Sequence, residues 1–366
     1  MPGLGFMLQV AFAPAPPPIV DAVEEIVVDS SLEQASAVRV RLGIAQTDLG
    51  DWTTLTEDLF RPLVPLTVRV QTGLLPEALI TGYVAKQQVE YGDVAGTSTL
   101  EVSGLDATLL MNLEEKVTPW PNLPDGAIAA AIFGQHALVP MVQPTPPSLV
   151  EPEGTTIQRG TDIRFLRRLA RRNGFDCYVQ PEPVTGIDQG FFRPRQVVGL
   201  PQAVLNVSLG GETNVASFRV RYDMTQPTSV VAAGLDTTTK APQPALAPVS
   251  INPPMGIEPT LTRVLPPPIV RPADTGLVRT SELQALAQGI VDTSSFAIVA
   301  EGEVGADVGV LRPGGIVNVR GAGRLYNGSY FVTRVTHTIT REDYRQRFEA
   351  RRNAATMTGG EVYVSP

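Results

Sequence analysis

The chain has 366 residues, 43% of them hydrophobic, with a net charge of −8 and a pI near 5.0, so its length predicts two to three domains with real cores. That acidity argues against a sequence-blind nucleic-acid binder, and no window approaches the 18 apolar residues of a membrane-spanning helix. The single cysteine, Cys177, excludes an internal disulfide framework and fits a reducing cytosol. Residues 1–20 lack a basic run ahead of an apolar core, so no secretory signal is expected. Arg outnumbers Lys by 26 to 3, a bias that a GC-rich genome explains at least as well as a demand for bidentate pairing at interfaces. Pro and Gly each number 33, which favours turn-rich β structure.

After a Pro-rich opening from Pro14 to Pro18, a strand is expected over 23–28. A four-part β pattern then occurs twice, first at 37–42, 63–70, 81–89 and 98–102, and again at 217–222, 311–319, 327–332 and 343–348. In the first copy Val38, Val40, Leu42 and Ile44 alternate with Arg39 and Arg41, the period of a strand with one buried face. Between the copies, Asp125 is placed to cap a short helix over 126–133, and a Pro-rich loop over 139–152 follows. The strongest helix is predicted over 161–174. Thr161 is its cap, Asp162 faces the positive end, Gly174 stands past the last turn, and Ile163, Leu166, Leu169 and Ala170 form its apolar stripe. A strand over 175–179 enters the core.

Ten prolines over 237–272 predict an extended linker, partly polyproline II, inside the second copy. A helix is expected over 281–291, with Ser281 and Gln284 forming a capping box. The last strand sets Tyr344, Phe348 and Ala350 against Arg345, Arg347, Glu349 and Arg351, and the tail from Ala354 is expected to be loose. The resulting fold class is mainly β with α insertions (α+β). The expected units are a first β domain over 1–112, a small α/β domain over 113–200, a second β domain over 201–236 and 276–353, the Pro-rich segment over 237–275, and a tail over 354–366.

Few residues suit catalysis. His136 and His337 lie far in sequence from other ligand types at metal spacing, and His337 shares a strand face with Phe331, Val335 and Ile339, as a packed histidine would. His136 follows the short helix and suits its negative end. Cys177 sits among Phe175, Tyr178 and Val179, which reads as core rather than nucleophile. The glycines of Pro313-Gly314-Gly315 and Gly321-Ala322-Gly323 match no phosphate-binding fingerprint, and no cofactor is expected. The adjacent acids Glu24-Glu25 and Glu114-Glu115 face different ways on any regular element. The densest charge is the helix face of Arg164, Arg167, Arg168, Arg171 and Arg172, whose plainer reading is a solvated face and whose functional reading is a subunit contact. Arg39, Arg41, Arg219, Arg221, Arg345 and Arg347 on the strands are the other candidate interface residues.

The segment Ile157-Gln158-Arg159-Gly160-Thr161-Asp162-Ile163-Arg164-Phe165-Leu166-Arg167-Arg168-Leu169-Ala170-Arg171-Arg172-Asn173-Gly174-Phe175 resembles a signature of the phage late control protein D family. That family includes baseplate hubs of contractile tails and the hub part of valine-glycine repeat protein G spikes. Leu311-Arg312-Pro313-Gly314, Val317, then Tyr326-Asn327-Gly328-Ser329-Tyr330-Phe331-Val332 with Val335 and His337, is similar to the family's second barrel. The resemblance spans residues 20–353. It implies two tail-tube-like β-barrels per chain and a homotrimer that presents six barrels to a hexameric inner tube protein and threefold symmetry to a central spike. It also implies baseplate wedge or sheath-associated partners, assembly in the cytoplasm, and residence in a virion-like contractile particle. The Pro-rich segment is then an insertion on the outer wall. With the chain ending at Pro366, no room is left for a fused spike barrel or needle, so a separate spike protein is expected. The rival readings are a β-rich cell-wall hydrolase, for which no acidic or His/Asp/Ser constellation is evident, and a tail-associated adhesin, for which Trp52 and Trp120 are sparse aromatic provision.

Overall fold

A computed structural model describes residues 5–48, 50–55, 58–94, 96–145, 155–235, 241–272 and 280–363, of which the greater part of the regular structure is strand. The N-terminal unit contains β1 (Gly5–Val10), β2 (Val23–Ser31), β3 (Ala37–Gly43), β4 (Pro65–Gln71), β5 (Glu77–Glu90) and β6 (Thr99–Leu105). They pair in the order β2-β3-β6-β5-β4-β1, each pair antiparallel. The alternation in β3 does what the sequence predicts: Val38, Val40 and Leu42 are buried while Arg39 and Arg41 are exposed. The inward residues join Ile26, Val28, Val68, Ile80 and Val102 in one core.

An α/β insertion follows. It contains β7 (Glu115–Trp120), α1 (Asp125–Gln135), β8 (Val139–Val142), β9 (Thr156–Thr161), α2 (Asp162–Asn173), β10 (Asp176–Pro181) and β11 (Asp188–Arg193). Helix α2 has the expected bounds, and Gly174 ends it in the left-handed conformation at φ 67°, which glycine adopts without steric cost. Two expected caps are not made. Thr161 donates to Asn112 Oδ1 at 2.9 Å instead of capping α2, and Asp125 lies inside α1, one residue past Pro124. Part of the expected 139–152 loop is the strand β8, and its residues 146–152 lie outside the described ones. The insertion is tied to the first unit by Arg69, which donates to the carbonyls of Val184 at 2.9 Å and Thr185 at 3.0 Å.

The C-terminal unit begins with β12 (Ala203–Asn206) and β13 (Val215–Tyr222). The chain then leaves it for β14 (Ser229–Leu235), β15 (Pro242–Ala247), β16 (Ile269–Val270) and α3 (Thr280–Ser294) before returning as β17 (Ile298–Val304), β18 (Ile316–Arg320), β19 (Gly328–Thr340) and β20 (Tyr344–Arg352). Much of the segment expected to be an extended linker is therefore structured. β14, β15 and β16 form their own three-stranded sheet, with Val230, Ala232, Ala245 and Ala247 packed on Leu283, Ala287 and Val291 of α3. Residues 236–240 and 273–279 of that segment lie outside the described ones. β14 and α3, expected in the second β domain, belong to this module. Ser281 lies within α3 and Gln284 donates to Leu246 O at 2.9 Å, so the anticipated capping box is not formed. The tail is not loose at its start, since Ala354 and Ala355 are buried and pair with Glu258–Pro259.

The repeat is real, and three of its four strands correspond as the sequence reading has them, but the first strand of the second copy is misassigned. The C-terminal unit pairs in the order β13-β17-β20-β19-β18-β12, the same path as β2-β3-β6-β5-β4-β1. Strand β13 therefore corresponds to β2, not to β3, and the true counterpart of β3 is β17. One difference remains, because β12 and β18 are parallel where β1 and β4 are antiparallel. The two units are joined edge to edge, with β19 paired antiparallel to β2 from Arg334↔Ser31 to Thr340↔Glu25. One continuous sheet thus runs through both halves of the chain.

Candidate assembly surfaces

Each unit presents a buried apolar face and a charged outer face, and the strand arginines singled out from sequence lie on the latter. Arg39 pairs with Glu101 at 3.5 Å and Arg41 with Glu24 at 3.2 Å. Arg345 and Arg347 both approach Glu303, at 3.8 Å and 3.5 Å, and Arg334 pairs with Asp29 across the junction of the two units. These are cross-strand pairs of exposed groups, each of small energetic weight but together setting a mixed-charge surface. Arg219 and Arg221 on β13 differ, being exposed and making no ion pair among the described residues.

The helical arginines do not form one free face. Arg172 is committed within the chain: its Nε donates to Asp125 Oδ2 at 2.6 Å and its guanidinium lies 3.8 Å from Glu282 of α3. Asn173 donates to the same Asp125 carboxylate at 2.6 Å. Arg167 is half-buried, and its Nε and Nη2 have no hydrogen-bond partner among the described residues. Arg164, Arg168 and Arg171 remain exposed, with Arg164 3.5 Å from Glu115 and Arg168 over the Phe165 ring. Helices α2 and α3 meet so closely that a Cβ on Gly289 would lie 2.6 Å from Gly174 Cα. Beside that crossing is a cavity of about 570 Å³ whose wall includes Arg167, Arg171, Arg195 and Arg351.

The residues of chemical interest are buried or bonded within the fold. Burial pushes the Cys177 thiol up to about 12, so thiolate is scarce at neutral pH. His337 is fully buried, its Nδ1 is 2.8 Å from the Tyr344 hydroxyl, and burial with the nearby Arg312 cation lowers it to about 3. His136 Nε2 lies 2.8 Å from Asp162 Oδ2, beside Lys116 Nζ at 2.7 Å, while Gln158 donates to Asp162 Oδ1 at 2.6 Å. Burial alone would raise Asp162, but these bonds hold it below the ordinary carboxylate range. That carboxylate brackets α1, β7, β9 and α2. Sequence reasoning missed it because its partners are 4 to 46 residues away and share no motif. Among the described residues no three His, Cys, Asp or Glu side chains group as metal ligands, and no helix is long and apolar enough to cross a membrane.

Residues 13–341 match the family described as the Alg8 N-terminal domain. The chain belongs to that family. Its fold is shared by a tail protein from Neisseria meningitidis, at TM-score 0.66 and 14% identity over 96% of this chain and 97% of the other. It is shared equally by the 43 kDa tail protein of prophage MuSo2 from Shewanella oneidensis, at TM-score 0.65 and 14% identity over 96% and 99% of the two chains. An Escherichia coli component of the type VI secretion system, itself described as similar to T4 bacteriophage tail proteins, matches at TM-score 0.58 and 12% identity over 94% of this chain and 76% of that one. No curated protein matches this member of the Alg8 N-terminal domain family in sequence. The baseplate-hub resemblance read from the sequence is borne out as a likeness of fold to phage-tail and type VI secretion proteins.

Proposed function

We propose that the protein is a structural, non-enzymatic hub of a contractile injection particle or phage baseplate, a homotrimer that adapts a hexameric inner tube to a trimeric central spike. The observation that supports this reading most is the internal repeat. Two six-stranded units with one strand order stand side by side in a single continuous sheet, so three chains supply six similar units, the number a sixfold tube face requires. Each unit corresponds to one tail-tube-like barrel, and the α/β insertion and the β14–α3 module stand outside that repeat. The exposed Arg164, Arg168 and Arg171 serve as contacts to neighbouring baseplate proteins, and the trimeric spike occupies the threefold face. Assembly takes place in the cytoplasm, and the protein works as part of the particle.

The reading is tested by adding the purified chain to a candidate inner tube protein and imaging the tubes. Tubes capped at one end by this protein are the expected result. Absence of association across low and high salt would overturn the role.

A further inference from the structure

The internal junction carries enough geometry to specify a second one. In the C-terminal unit, β19 has two neighbours on one side: β18 pairs along its first residues, and β2 of the other unit pairs beyond, at 334–340. Its counterpart β5 is built alike. Strand β5 takes β4 over 77–83, and both strands carry a bulge at the same place, between Val84 and Lys86 in β5 and between Val332 and Arg334 in β19. The residue before each bulge makes matching backbone bonds, Val84 N to Val64 O at 3.0 Å and Val332 N to Gly315 O at 2.8 Å. Beyond the bulge, however, no strand among the described residues lies beside the outer edge of β5, and residues 85–88 and Glu90 are exposed.

The strand that would complete it is the counterpart of β2, namely β13, which ends the sheet path and, among the described residues, pairs only with β17. The difference in burial agrees. Ile26 and Val28 of β2 are fully buried with a neighbour on each side, whereas Phe218 and Val220 of β13 are only half-buried. Both edges lie on one molecule at opposite ends of an eight-strand path, and among the described residues they do not pair with each other. An unpaired strand edge is a template for another chain.

We propose that β13 of one copy adds antiparallel to the 85–90 edge of β5 of a second copy, repeating between chains the junction that β2 and β19 make within one. This rests on the hub reading above for the number of copies that close the ring. The register follows from the two ladders. Val332↔Ala350, Ala350↔Ala300 and Ala300↔Val220 in one unit match Val84↔Gly104, Gly104↔Val38 and Val38↔Val28 in the other, so Val220 stands where Val28 does. Within the chain Val28 pairs with His337, five residues past Val332, and five residues past Val84 is Val89. Val89 therefore opposes Val220. The same shift sets Glu90 opposite Arg219 and Lys86 opposite Asp223, two pairs of opposite charge, with Gln88 against Arg221. Nothing in the repeat obliged these charges to be complementary, and like charges directly opposed would disfavour the pairing. The register also gives Arg219, which makes no ion pair among the described residues, an acidic partner.

Directly opposed strand residues place Cβ atoms about 4.5–5.5 Å apart, close enough for an engineered disulfide after small adjustment. The test is the double variant Glu90→Cys with Arg219→Cys, oxidised at neutral pH and run without reductant, with Glu90→Cys plus Arg221→Cys as the shifted-register control. The native Cys177 is buried and stays out of the exchange. The expected result is conversion of the 39.1 kDa band into a closed three-chain species by the first pair, with much less by the control. A trimer in solution that gives no cross-link with the first pair would overturn this junction and leave the hub reading standing. Efficient cross-linking into rings of another size would uphold the junction and overturn the trimer. A strict monomer that never cross-links would overturn both.

Discussion

Replacing Arg352 with methionine is expected to lower stability by about 3–5 kcal/mol, the cost of leaving several buried carbonyls without their charged donor. Arg352 closes β20, and no part of it is accessible to solvent. Its Nη1 donates to Asn327 O at 2.7 Å, and its Nη2 donates to Met255 O at 2.7 Å and, more weakly, to Thr356 O at 3.4 Å. The guanidinium lies over the Tyr330 ring, 5.0 Å from its centroid. One side chain thus holds the turn before β19, the Pro-rich segment and the residues after β20. Methionine fills similar volume but leaves those carbonyls without donors. Arg352→Lys retains one charge and fewer bonds and is expected to fall between the two. Denaturation midpoints measure the global effect, and amide exchange should show protection lost first around residues 255–259 and 353–356. A methionine variant within about 1 kcal/mol of the native protein would show that desolvating the guanidinium already offsets its bonds.

Asp188→Asn is expected to stabilise the protein at pH 8 by about 2–4 kcal/mol and to change it little at pH 4. Burial, reinforced by the negative charge of Asp106, raises Asp188 from an ordinary value near 3.8 to about 7. A raised acid binds its proton more tightly in the folded state, so its contribution is fully present below the unfolded value and is lost as pH rises through the folded one. The window therefore runs from about 4 to 7. Burial raises Asp106 as well, although its carboxylate accepts from Ser36 N at 2.7 Å and from Thr108 N at 3.0 Å, so it titrates in the same sense as Asp188. His337 acts in the opposite sense. Its folded value of about 3 lies below its ordinary 6.5, so it contributes stability above that value which is lost as pH falls through the folded one. In the native protein the acid and histidine slopes oppose each other between about pH 4 and 6.5, and the asparagine variant should shift the balance toward the histidine slope. Thermal or urea unfolding of both proteins across pH 4–8 measures the difference. An equal gain at both ends would mean that Asp188 is not the titrating group.

The strands were legible because their cores are. Residues such as Val38, Val40 and Leu42 alternate with charged neighbours, and period 2 is the physical requirement of a half-buried sheet. The misassigned first strand of the second copy has an equally local cause. Ala37-Val38-Arg39-Val40-Arg41-Leu42 and Ser217-Phe218-Arg219-Val220-Arg221-Tyr222 share an alternation, yet alternation records which face is buried and not which neighbours a strand has. The real counterpart of β3, Ile298–Val304, is separated from β13 by the β14–α3 module, whereas β2 and β3 are joined by a short turn. The Pro-rich segment misled for a related reason. Proline removes a backbone donor, so it reads as linker, but Pro242 and Pro244 lie in β15, whose partner is β14 alone. The Asp125–Arg172 clamp and the Asp162 bracket were invisible because partners distant in sequence carry no local signal. The helical arginines were found by charge density, which cannot distinguish the clamped Arg172 from the exposed Arg171.

Solution mass by light scattering on the purified chain, across a concentration series and then with an inner tube protein added, tests the central claim most directly. The account predicts a species of three 39.1 kDa chains, about 117 kDa, which then joins the tube. A 39.1 kDa monomer that persists at every concentration and ignores the tube would contradict it.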